Sequence, residues 1–130
     1  MDFLAPGSWP RAKGYAHGVA ASGRIIFVSG QVGWDTHGRF ENDDLPGQVR
    51  AALENIAVVL ASGGARPEHV VRMTWFVTDK REYLRLQSEI GEAYRAVMGK
   101  HFPAMSVVEV SGLIEEQAKV EIEATAVVPQ

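Results

Sequence analysis

The sequence predicts a mixed α/β domain whose elements run β-β-α-β-α-β-β, with two helices on one face of a mixed sheet. Three observations lead there. Two segments carry apolar residues at helical spacing, each with a start and a stop signal. Five segments are rich in β-branched and aromatic residues. Two amphipathic helices suffice to cover only one side of such a sheet, so its other side meets solvent or a partner.

The elements follow in order. Residues 1–13, with Pro6 and Pro10, read as a surface lead-in. Residues 15–21 and 24–32 read as strands, with Ser22-Gly23 between them as a two-residue hairpin signal. Residues 33–43 form a polar loop holding Trp34, His37 and Phe40. Asp44 is suited to cap a helix and Pro46 to its first turn. Val49, Ala52, Leu53, Ile56 and Leu60 then share one face, and Gly63-Gly64 ends the helix. Residues 70–77 read as an interior strand, apolar on both faces. A second helix starts near Asp79, carries the stripe Leu86, Ile90, Ala93 and Val97, and stops at Gly99. Pro103 opens a strand over 104–110. The last strand, 119–128, alternates Val120, Ile122, Ala124 and Ala126 with Lys119, Glu121, Glu123 and Thr125. Val71, Met73 and Trp75, with Met105 and Val107, put apolar groups on both sides of the sheet, which favours an oligomer.

Composition sets bounds on function. The 130 residues make one domain, 1–130, large enough for its own core. The net charge is −3 with both signs interspersed, and no Lys/Arg cluster is present to neutralise phosphates, which argues against nucleic acid as a partner. There is no cysteine, hence no disulfide, thiolate metal site or thiol nucleophile. The start of the chain lacks the basic and apolar regions of a signal peptide, and no apolar run spans a bilayer. A cytoplasmic location, away from membranes, is the expectation. His17, His37, His69 and His101 show no ligand-pair spacing, so neither a metal nor another cofactor is expected.

Four stretches, in order, resemble the RidA/YjgF (L-PSP) family: Gly14-Tyr15-Ala16-His17-Gly18; Phe27-Val28-Ser29-Gly30-Gln31; Gln48 to Gly64, as Gln-Val-Arg-Ala-Ala-Leu-Glu-Asn-Ile and then Gly-Gly-Ala; and Phe102-Pro103-Ala104 with Val120 to Ala124. The resemblance implies a chorismate-mutase-like fold and a homotrimer with small-molecule clefts between subunits. It further implies hydrolysis of reactive enamines and imines such as 2-aminoacrylate, or an endoribonuclease activity of the kind the older name records. The acidic balance and the absence of a histidine pair count against the latter.

The resemblance also assigns residues. Glu121 matches the glutamate that positions water; a strand carboxylate paired with a surface cation is the alternative. Tyr15, Ser29, Gly30 and Gln31 match cleft-lining positions, and His17 borders them. The family's carboxylate-binding arginine is replaced by Met105, beside Ser106. Gly91 stands for an asparagine three residues before Tyr94, and Ile114 for a loop proline. Methionine cannot pair with a carboxylate. The expectation is therefore weak or no activity on 2-aminoacrylate or 2-iminopropanoate, and either an altered substrate or a cleft that binds a metabolite without turnover.

Overall fold

The computed structural model describes all residues from Met1 to Gln130. Its elements are β1 (Asp2–Leu4), β2 (Gly18–Ala20), β3 (Arg24–Val32), α1 (Leu45–Ser62), a 3-10 turn (Pro67–His69), β4 (Val70–Val77), α2 (Lys80–Arg85), α3 (Gln87–Met98), β5 (Ala104–Glu109) and β6 (Val120–Val128). The main sheet has four strands in the order β3-β6-β4-β5. It is mixed: β6 runs antiparallel to β3 and β4, and β5 runs parallel to β4. The α+β class, the mixed sheet and the interior place of residues 70–77 are as the sequence predicts.

Three local expectations need correcting. Ser22-Gly23 does not close a hairpin. Ala16 bridges to Ala104 on β5, whereas β3 pairs with β6 at the far edge of the sheet. The chain therefore crosses the end of the sheet between them, and β2 finds its partner in β1 instead. The lead-in thus contains a strand, and β1–β2 is a separate two-stranded ribbon. The second helix is also two. Leu86, at φ −107° and ψ 25°, breaks it, and packs against the core from that corner. No glycine or proline marks the break.

The helix signals act as their chemistry requires. The Asp44 carboxylate accepts the Gly47 N–H at 2.9 Å, and Asp79 accepts from the Glu82 N–H at 3.1 Å. Each cap contributes about 1 kcal/mol. Gly64 and Gly99 take positive φ at the ends of α1 and α3. The core lies between the helices and the sheet. Leu53, Ile56 and Leu60 of α1 meet Met73, Trp75 and Val77 of β4 and Val120, Ile122 and Ala124 of β6. Each large aliphatic side chain buried there contributes about 1.5–3 kcal/mol.

The opposite face of the sheet is uncovered in the single chain. Ile25 and Phe27 of β3 are 55% and 77% exposed, and Val108 of β5 is also exposed. No helix is long and apolar enough to cross a membrane.

Candidate functional site

The predicted site residues separate into two groups on opposite faces of the sheet. The first lies at the end of β3. Pairing with β6 shifts register between Val28 and Gln31, so Ser29 and Gly30 form a bulge. A bulge re-aims side chains at the cost of local pairing. Here it brings Gly30 against Glu121 of β6: a Cβ on Gly30 would lie 2.8 Å from the Glu121 Cδ and 3.0 Å from its Cγ. Gly30 is what lets the carboxylate rest on the backbone. The Gln31 amide donates to the Ser29 carbonyl at 3.2 Å and reaches the Ser29 hydroxyl at 3.4 Å. Ser29, Gly30, Gln31 and Glu121 therefore form one polar cluster beside the exposed Phe27.

One buried side chain fixes both strands of this cluster. Gln48 of α1 is 1% exposed. Its amide donates to the carbonyls of Asn42 and Gln117, each at 3.0 Å, and its carbonyl accepts the Lys119 N–H at 2.7 Å. Lys119 leads directly into β6. Where the chain leaves β3, Gly33 passes so near α1 that a Cβ there would lie 2.7 Å from the Gln48 carbonyl oxygen. The sequence placed Gln48 only within a motif; its role was legible as a lone amide on an otherwise apolar helix face.

The second group lines a cavity of about 480 Å³ under α3. The helices do not reach across the whole sheet, and the edge strand β5 is left partly open. Met105 and Val107 of β5 form the floor beside Trp75 of β4. Ile90, Gly91 and Tyr94 form the helical wall, and Tyr15 and Phe102 close the end. Tyr15, Gly91 and Met105 are thus brought together as cavity lining. Tyr94 stacks on Phe102 with centroids 5.4 Å apart, and its hydroxyl donates to the His101 carbonyl. Burial pushes the Tyr94 hydroxyl above its ordinary pKa, so it stays a donor. The His101 ring in turn bonds the Val70 carbonyl at 2.6 Å. The Trp75 indole N–H is buried without a partner.

The remaining predicted residues line neither the cavity nor the polar cluster. His17 packs edge-on against Trp9 and Tyr15 and bonds the Pro10 carbonyl, so it braces the lead-in. Ser106 lies on the same sheet face as Glu121 but two strands away, beside Thr74. Ile114 is 95% exposed in the loop before β6 and touches neither group. Trp34 packs on Phe40 within its own loop. Sequence reasoning missed the two cations of the cavity, Lys13 and Arg95.

The profile of the family described as endoribonuclease L-PSP matches residues 8–128. The chain belongs to this family, whose members are the RidA/YjgF proteins. The 2-iminobutanoate/2-iminopropanoate deaminase of Salmonella typhimurium is 33% identical over 128 residues, covering 95% of both chains. Among solved structures, the Rid-family protein YyfB of Yersinia pestis superposes with a TM-score of 0.83 at 29% identity, covering 98% of each chain. TdcF of Escherichia coli, solved with bound serine, gives a TM-score of 0.69 at 30% identity, covering 98% of this chain and 96% of that one. Membership supports an imine-deaminase or metabolite-binding role.

Proposed function

We propose that this RidA-family protein hydrolyses a reactive imine or its enamine tautomer to a carbonyl compound and ammonia, in clefts completed between subunits of a homotrimer. The observation that carries the reading is the Glu121 carboxylate resting against the Gly30 backbone. There it can accept a proton from a water attacking the C=N carbon. The new C–O bond forms as the C=N pair moves to nitrogen. The proton then passes to nitrogen, giving a carbinolamine; its hydroxyl proton follows to nitrogen by way of Glu121 as the C–N bond breaks, so ammonia leaves as the carbonyl forms. The Gly30 region offers a surface on which a small ligand can lie close to the main chain.

The two-faced layout supports the assembly. Within one chain the sheet separates Glu121 from the Met105 cavity. A second copy whose β5 edge, where its cavity opens, meets the exposed Ile25 and Phe27 face would set that cavity beside the Glu121 cluster, and burial of that apolar surface would stabilise the contact. Met105 favours one alternative, a trimer that binds a metabolite without turning it over, because the carboxylate-binding position of the family carries no charge.

The test is ammonia release from imines generated in situ from amino acids by an amino-acid oxidase, with wild type beside Glu121→Gln. Accelerated release lost in the variant is the expected result. No acceleration with any imine, together with measurable metabolite affinity, would replace the reading by the binding one.

A further inference from the structure

The cavity under α3 has a charge pattern that the loss of the family arginine does not suggest. Its lining contains two cations, Lys13 and Arg95, and no carboxylate. Neither cation has a salt-bridge partner; the ion pairs of the chain are Arg50–Glu54, Arg66–Glu68 and Lys119–Glu82. The Arg95 side chain also makes no hydrogen bond. Gly91 explains where it rests. Arg95 follows Gly91 by one helical turn, and helical side chains lean back toward the N-terminus. A Cβ on Gly91 would lie 3.1 Å from the Arg95 Nη1. The bare backbone at Gly91 is thus the berth of the guanidinium, and a longer residue there would push it away.

The rest of the wall is apolar and aromatic: Trp75, Tyr83, Tyr94, Phe102 and Met105. Trp75 adds a buried, unpartnered N–H to that wall. A buried donor without a partner costs about 1–3 kcal/mol, so a ligand acceptor that reached it would recover part of that cost. Methionine, in place of the arginine, adds a soft contact suited to an aromatic ring.

We infer that the cavity binds an organic anion with an aromatic or bulky apolar body, a 2-oxo acid or its imine, whose carboxylate is held by Arg95. The anion clamp has moved from the sheet, at residue 105, to the helix, at residue 95. Lys13 adds a second positive charge at the mouth. The space above Met105 accommodates the apolar body. Guanidinium suits this role because it presents paired N–H donors to a carboxylate and remains charged at all working pH. The assignment deepens the proposed function by naming its substrate class, yet the binding step stands without turnover.

The experiment measures binding of phenylpyruvate by calorimetry, beside its uncharged counterpart phenylacetone. The variants are Arg95→Gln, Arg95→Lys and, as a control, Arg50→Gln. Arg95→Gln is expected to weaken phenylpyruvate at least about tenfold and to leave phenylacetone unchanged. Arg95→Lys should recover part of the loss, and Arg50→Gln, at an exposed arginine of α1 outside the cavity, should bind phenylpyruvate as wild type does. Equal phenylpyruvate affinity in wild type and Arg95→Gln would overturn the inference, as would the absence of binding in wild type. Arg95 lies exposed on α3, so its replacement leaves the fold intact. Arg95-dependent binding without imine hydrolysis would retire the proposed deamination and keep the anion site. Hydrolysis with a KM indifferent to Arg95 would do the reverse.

Discussion

Replacing Gln48 by leucine tests how the fold holds the site. Leucine has similar volume and suits the apolar face of α1, so packing alone predicts a neutral change. The hydrogen bonds predict otherwise. The variant strands the Asn42 and Gln117 carbonyls and the Lys119 N–H in a site where Gln48 itself is 1% exposed. A buried group left unpaired costs about 1–3 kcal/mol; Asn42 and Lys119 are half-buried and Gln117 is exposed, so the low end applies. Three at the low end give about 3 kcal/mol, set against about 1 kcal/mol regained by no longer desolvating the amide. The net loss is about 2 kcal/mol or more, or about 6–10 °C in Tm for a domain of this size. The assay is thermal unfolding at matched protomer concentration, since association contributes to apparent stability. Turnover should fall as well, because Lys119 precedes the strand that carries Glu121. A Tm within about 2 °C of wild type would refute the reasoning and mean that water replaces the amide.

Gly30→Ala should cut imine hydrolysis by about a hundredfold, because its Cβ occupies the place of the Glu121 carboxylate; unchanged kcat would show that this contact is not where water is held. Tyr94→Phe should flatten the alkaline stability profile. The hydroxyl pKa is raised by burial, so its contribution is fully present below pH 10.0, the ordinary tyrosine value, and is lost as pH rises beyond it; urea midpoints at pH 9 and pH 11 should fall more in wild type than in the variant. Met105→Arg should raise activity on small imino acids and lower it on aromatic ones, read as kcat/KM for each. Sedimentation at micromolar concentration should give three chain masses, with Phe27→Asp shifting the protein toward monomer; a monomeric wild type would remove the intersubunit cleft.

Much of the fold was legible because its signals are local. The Asp44 cap, the apolar stripe of α1 and the alternation of β6 each follow from residues a few positions apart. The misplaced hairpin shows the limit. Ser22-Gly23 has the composition of a tight turn, but the bridge from Ala16 to Ala104 sends the chain to the other edge of the sheet. Long-range pairing overrides turn chemistry there. The break at Leu86 carries no composition signal at all. For the site, the resemblance put Tyr15 with Ser29, Gly30 and Gln31 as cleft lining, whereas within one chain Tyr15 shares a cavity with Gly91 and Met105. It could not show that the Glu121 cluster lies across the sheet from them. That separation follows from strand parity and the bulge at Ser29-Gly30, which shifts register by an amount no alternation pattern reveals.

Arg95 was missed for a related reason. On a helix, an exposed arginine usually signifies only solubility, and the sequence has 13 Lys and Arg residues with nothing local to set one apart. What distinguishes it is a vacancy one turn earlier. The absence of a side chain at Gly91 was legible as the loss of a family asparagine, and the absence of charge at Met105 as the loss of a family arginine. Taken separately, the two changes suggest a decayed pocket. Placed in one cavity, they act together. Removing the side chain at residue 91 opens the backbone on which a guanidinium can lie, and removing the arginine at residue 105 takes away the like charge that would repel it. Either change without the other would leave an obstructed helix face or two competing cations. Their joint occurrence, with an unpaired cation on one wall and aromatic rings on the others, describes a pocket rebuilt around a larger anion rather than one that has lost its use.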